Sequence, residues 1–119
     1  MTKERGFSRA ERLTRKAEFD RVFKEGRAYR TQEVSILAVP NNTACSRLGM
    51  VVGRRAGGAV TRNRMKRLIR EGFRLNKRLL TVGHDIVVIP RGWSDLRLSV
   101  IEEQFRRFFE TLCKGVRGA

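Results

Sequence analysis

The nine residues Arg62-Asn63-Arg64-Met65-Lys66-Arg67-Leu68-Ile69-Arg70 form the segment of this chain whose chemistry is easiest to read. A run of charge is usually a solvated helix face, and such a face normally alternates its signs so that residues four apart attract. Here every charge is positive, so the face repels itself and folding alone does not favour it. A bound polyanion would account for it. Arginine offers a planar fork that matches phosphate oxygens, and asparagine offers a donor and an acceptor for a base edge or a 2′-hydroxyl. The spacing puts Arg62, Asn63 and Arg64 near the opening of a helix, where free N–H groups and the helix dipole already attract phosphate.

Two further features belong with this segment. Gly53-Arg54-Arg55-Ala56-Gly57-Gly58 invites comparison with a phosphate loop but lacks the Gly-Lys-[Ser/Thr] ending, so a nucleotide-hydrolysing site is excluded. Its glycines read as a tight turn into the helix, with Arg54 and Arg55 as extra phosphate contacts. Phe19 and Phe23 lie one helical turn apart beside basic residues. Aromatic pairs at that spacing are usually core, yet unpaired bases stack on rings beside basic grooves. Local pattern leaves those two readings balanced.

Catalytic machinery is harder to find. Metal-assisted nucleases need clustered carboxylates, whereas Asp20, Asp85 and Asp95 are scattered singles. Asp85 opens an apolar run and reads as structural. His84 is the only histidine, and Cys45 has no histidine near it in sequence. Trp93 follows Arg91-Gly92 in an expected loop, as a lid on the core. No set of these residues is equipped to cleave a bond by itself.

The whole chain agrees with an anion-binding role. Its 119 residues carry 27 Lys plus Arg against 12 Asp plus Glu, a net charge of +15, with 40% apolar residues to build one core. No apolar run approaches the roughly 18 residues of a membrane span, and the opening residues lack a secretory pattern. Two cysteines and one histidine cannot make a four-ligand zinc site. A single cytoplasmic, very basic domain with a polyanionic partner is expected, residues 1–11 forming a flexible basic arm. Ten basic residues and the single acid Glu71 fall between Arg54 and Arg78, and Arg5, Arg9, Arg12, Arg15 and Lys16 form a second basic cluster.

The elements that must carry these residues follow from periodicity. Lys16 to Glu25 reads as a short helix capped by Thr14 and stopped by Gly26. Arg27–Arg30 and Val34–Val39 read as strands. Leu48–Val52 is expected to be the antiparallel neighbour of Val34–Val39 across the loop from Pro40 to Arg47. Asp85–Ile89, apolar throughout after its first residue, fits a central strand buried on both faces. Ala59 to Leu80 places Met65, Leu68, Ile69, Gly72, Phe73, Asn76 and Leu79 on one helical face. Lys66, Arg67, Arg70, Arg74, Lys77 and Arg78 fall on the other. Leu98 to Cys113 is a second covering helix through Val100, Ile101, Phe105, Phe108, Phe109 and Leu112. Helices and strands in this order indicate an α/β sandwich with one main sheet.

Taken together, these pieces resemble a known family. Arg12-Leu13, Glu18-Phe19, Val22-Phe23-Lys24-Glu25-Gly26, the segment from Ser46 to Val52, the segment from Gly57 to Arg70, and the segment from Asp85 to Arg91 match the protein subunits of bacterial ribonuclease P. That ribonucleoprotein removes 5′ leaders from precursor tRNA. The resemblance implies an α+β sandwich of order α-β-β-β-α-β-α, like the second domain of ribosomal protein S5. Its sheet would be mainly antiparallel, with a left-handed β-α-β crossover through the basic helix. It implies that a partner RNA performs the hydrolysis with Mg2+, that the protein supplies no catalytic or metal-ligating residue, and that neither membrane nor DNA is a partner. Arg54, Arg55, Arg62, Asn63, Arg64, Lys66, Arg67, Arg70 and Arg74 would face the catalytic RNA. Arg12, Arg15, Lys16, Phe19, Phe23 and Leu37 would line a cleft for the single-stranded leader. Leu37 stands where the family often has an aromatic residue, so stacking there is weaker. A self-sufficient nuclease, and a ribosomal or DNA-binding structural protein, are the other classes that this charge would suit.

Overall fold

A computed structural model describes residues 9–91 and 97–118, with side chains from Ala10 to Cys113; Arg5, Trp93, Asp95 and the side chain of Arg9 lie outside what it describes. A short 3-10 turn, Arg9–Glu11, precedes helix α1 (Lys16–Glu25). Strands β1 (Arg27–Arg30), β2 (Val34–Pro40) and β3 (Arg47–Met50) follow. Helix α2 (Ala59–Asn76), strand β4 (His84–Pro90) and helix α3 (Leu98–Gly118) complete the chain.

The sheet order is β1-β2-β4-β3. β1 pairs antiparallel with β2, β2 antiparallel with β4, and β3 parallel with β4. The architecture is thus the expected mixed α+β sandwich, but one neighbour differs from the sequence expectation. β3 does not pair with β2, because β4 lies between them, with Leu37 opposite Val87 and Val87 opposite Gly49. The physical reason is burial. Ile86, Val87 and Val88 are fully buried and need cover on both faces and both edges, so β4 takes an interior position. β3 carries Arg47 and Gly49 on one face and can stand at the rim. It also ends at Met50, although Val51 still donates its N–H to the Val88 carbonyl at 3.0 Å.

The two faces of the sheet are covered unequally. α2 and α3 lie on one face, where Ile36, Ala38, Leu48, Ile86 and Val88 meet Met65, Ile69, Phe73, Ile101, Phe105, Phe108 and Phe109. Ring packing orders this core: Phe105 sits 5.3 Å from Phe109, and Tyr29 of β1 stacks on Phe108 at 5.4 Å. α1 covers part of the opposite face through a smaller cluster of Leu13, Val22, Leu37, Val39 and Val87, with Phe19 and Ile89 at its margin.

Two helix ends depart from the sequence reading. Arg15, not Thr14, occupies the N-cap of α1. Glu18 folds back so that its Oε1 accepts the N–H of Arg15 at 3.1 Å and of Thr14 at 3.3 Å, which satisfies the open end without a threonine hydroxyl. α2 stops at Asn76 and continues as a 3-10 turn, Lys77–Leu79, instead of running to Leu80. Buried Asn76 donates its amide back to the Gly72 carbonyl at 2.9 Å and across to the Glu102 carbonyl at 3.4 Å, a side-chain competitor for the helical ladder.

Candidate nucleic-acid interface

α2 divides into an inner and an outer side as its periodicity requires. Met65, Ile69, Gly72, Phe73 and Asn76 are buried, whereas Asn63, Arg64 and Arg67 are exposed and Arg62, Lys66 and Arg70 half-buried. Gly57 adopts φ +134°, a conformation that side chains disfavour, so the glycine there lets the chain turn into the helix. The exposed Arg54 and Arg55 occupy a short 3-10 turn just before it. The first turn of α2 contains no acid and no side-chain cap. Its N–H groups, the dipole and the adjacent arginines therefore present one positive surface. The Nε of Arg62 is buried without a hydrogen-bond partner among the described residues.

The basic ridge changes character along its length. Beyond Arg70 the cations meet partners within the protein: the guanidinium of Arg74 is gripped by both oxygens of Glu71, Lys77 pairs with buried Glu11, and exposed Arg78 donates to the Leu75 carbonyl. Arg74 thus belongs to the ridge by position but arrives with its charge already met. Arg70 shows the opposite condition. Burial, then the nearby charges of Arg12 and Arg67, push its pKa below the ordinary arginine range. Arg12 reaches that neighbourhood because the segment before α1 runs along the edge of β3, with Leu13 donating its N–H to the Leu48 carbonyl at 3.0 Å. Sequence reasoning put Arg12 with one surface and Arg67 and Arg70 with another; the fold makes the two adjoin.

The second surface is the part of the sheet beside α1. Phe19 lies with its ring directly over Gly49, where a Cβ would come within 2.6 Å of the ring tip. No larger residue fits at Gly49 without lifting the ring. Phe19 is half-buried, and Phe23, one turn on, is 46% exposed. The pair therefore splits between core and surface. Leu37 is only 8% exposed and packs beneath α1 with Val22 and Val87, so it forms floor. Arg12 and Arg15 are exposed, and Lys16 pairs with Asp20 at 2.9 Å on the open surface.

Local patterns did not reveal the group that joins α1 to the sheet. Arg47 of β3 donates from Nε and Nη2 to the two oxygens of Asp85, at 2.8 and 2.7 Å, and from Nη1 to Glu18 at 2.8 Å. Asp85 is almost fully buried and also accepts the side-chain amide of Asn41 at 2.9 Å. The hydrogen bonds of Asp85 hold the Arg47 pKa above its usual value. Burial opposes the charge of Glu18, but the N–H groups of Arg15 and Thr14 and the Arg47 guanidinium outweigh it and lower its pKa. The signal in sequence was an acid opening a buried strand, which demands a partner without naming one.

These placements also account for the isolated residues that a nuclease would need. Asp85 is committed to Arg47 and Asp20 to Lys16. His84 is buried, and its Nδ1 donates to the Val82 carbonyl at 2.9 Å. Among the described residues, no three of His, Cys, Asp or Glu converge to hold a metal ion.

The family model described as Ribonuclease P matches residues 7–113. The chain belongs to the ribonuclease P protein family. A Thermotoga maritima ribonuclease P protein component is 46% identical over 85 residues, covering 71% of this chain and 73% of the relative. The ribonuclease P protein component of Desulforapulum autotrophicum is 30% identical over 110 residues, 92% of this chain and 94% of the relative. The fold agrees as well. The RNase P protein of Staphylococcus aureus superposes with a TM-score of 0.74 at 28% identity, covering 87% of this chain and 96% of that one. That of Thermotoga maritima gives 0.74 at 36% identity, covering 85% and 96%. Membership in a ribonucleoprotein family of tRNA processing fits a chain with a basic ridge along α2.

Proposed function

We propose that the chain assembles with the catalytic RNA of ribonuclease P through the N-terminal half of α2 and holds the single-stranded 5′ leader of precursor tRNA beside α1. The observation that carries this reading is the adjacency of two surfaces: the segment before α1 reaches α2, where Glu11 pairs with Lys77 and the charge of Arg12 acts on Arg70. The roles divide by chemistry. Arg54, Arg55, Arg62, Asn63, Arg64, Lys66, Arg67 and Arg70 neutralise and orient phosphates of the catalytic RNA. Phe23 offers a ring for a base, with Phe19 and Leu37 as apolar floor and Arg12, Arg15 and Lys16 at the margin.

In this reading the RNA supplies hydrolysis and binds the Mg2+ it requires, while the protein neutralises charge and positions the substrate. The proposed setting is the cytoplasm; none of the described helices is long and apolar enough to cross a membrane. The test is cleavage of leader-bearing precursor tRNA at low magnesium by protein alone, by bacterial ribonuclease P RNA alone, and by the mixture. Efficient cleavage in the mixture, with the protein alone inert, is expected. Cleavage by the protein alone, or a mixture no faster than the RNA, would overturn the proposal.

A further inference from the structure

The Arg47 network is the strongest polar construction in the molecule that RNA binding by the ridge leaves unexplained. Its composition excludes an anion site: one guanidinium faces two carboxylates, so the cluster is locally negative within a chain of net charge +15. Its connections suggest a mechanical part. Asp85 anchors Arg47 to the central strand β4, and Asn41, tied to Asp85, also donates to the Cys45 carbonyl at 3.0 Å in the loop before β3. The remaining arm of Arg47 reaches Glu18, whose other oxygen closes the first turn of α1. The next residue is Phe19, seated on Gly49, two positions along β3 from Arg47 and on the same face. The far end of α1 is held separately, by buried Val22 and by Arg21, which donates to the Pro40 carbonyl at 2.9 Å.

We propose that Arg47 is a positioning residue for the leader cleft: by bridging Asp85 to Glu18 it fixes the height of Phe19 and Phe23 above the sheet and so sets how firmly single-stranded RNA is gripped. A helix turn is rigid over the four residues that separate the rings, so a shift at Glu18 moves both. The guanidinium suits the task because its planar fork satisfies Asp85 with one edge and keeps a further donor for Glu18. This inference rests on the proposal that the leader lies beside α1.

The experiment uses holoenzyme reconstituted with ribonuclease P RNA and measures the ratio of affinities for leader-bearing and leader-less tRNA. Glu18→Gln keeps Arg47 on Asp85 and weakens the arm to α1, while the amide oxygen can still accept the N–H groups of Arg15 and Thr14. Arg47→Lys keeps a cation beside buried Asp85 but cannot bridge both acids. Phe23→Ala is expected to lower the ratio roughly 5- to 150-fold, the value of stacking one base. Each bridge variant is expected to lower it about fivefold, the lower end of that range, with assembly onto the catalytic RNA and its salt dependence unchanged. Glu18→Gln combined with Phe23→Ala is expected to lose less than the product of the two single losses, because the bridge acts in part through that ring.

A normal ratio in both bridge variants, with a loss in Phe23→Ala, would overturn the positioning role and leave the cleft intact. Losses that multiply in the double variant would also overturn it, since Glu18 would then act apart from the ring. No loss in Phe23→Ala would overturn the cleft reading and this inference with it.

Discussion

The two faces of the sheet are built from the same strands yet differ in how they are finished. On the α2/α3 face, Phe73, Phe105, Phe108 and Phe109 are all buried and pack ring against ring. On the α1 face a ten-residue helix leaves Phe23 exposed, seats Phe19 over a glycine and relies on an ion network to hold its first turn. A sealed face supplies stability through the apolar area it buries. A partly covered face gives up burial and keeps a surface that can bind. α2 repeats the lesson at smaller scale, since its inner side belongs to the core while its outer side carries the exposed Arg64 and Arg67.

If the division holds, damage to one face should leave the other's property intact. The largest expected effect is Phe105→Ala, which opens a cavity under α2 and α3 and should cost about 3–5 kcal/mol in chemical denaturation. Below the unfolding transition, its preference for leader-bearing tRNA should remain that of the unaltered protein. Next is the pair Arg62→Ala and Arg64→Ala, which should leave the melting temperature nearly unchanged. Removing two phosphate contacts should flatten the slope of log affinity for catalytic RNA against log salt by roughly 0.7–0.9 per contact. An unaltered slope would remove these arginines from the interface.

The smallest effect separates the faces by pH. Burial lowers the pKa of His84, with the Val82 carbonyl and Asp85 opposing it in part. The unfolded chain therefore binds a proton that the folded chain refuses, and stability falls as pH drops below about 6.5. Glu18 acts further down. Its folded pKa lies below the ordinary value, so its contribution is complete above that value and is lost as pH falls through the folded one. In a thermal-melting series, His84→Gln should flatten the decline at pH 5.5–6.5 and Glu18→Gln only the decline below about pH 4.5. The reverse assignment would contradict this account.

Much of this division was legible in the sequence because it is local. The 3.6-residue period of α2 and α3, the apolar run of β4 and the one-signed charge of Arg62 to Arg70 are short-range patterns, and each appears where expected. What was not legible depends on the path of the chain in space. Leu48 follows β2 closely in sequence, yet the crossover through α2 inserts β4 between them. Arg12 and Arg70 are distant in sequence, and Arg47 finds its acids on α1 and β4. No periodicity reports such pairings. The aromatic pair is divided by the fold, with Phe19 seated over Gly49 and Phe23 left at the surface.

The central claim is that the partly covered face holds the leader while the outer side of α2 holds the catalytic RNA. Replacing Phe23 or Arg64 with a photo-crosslinking amino acid in the assembled holoenzyme, with bound precursor tRNA, tests both halves at once. Adducts from position 23 should map to 5′ leader nucleotides and those from position 64 to the catalytic RNA. Adducts from position 23 on the catalytic RNA or the mature tRNA body, with none on the leader, would contradict it.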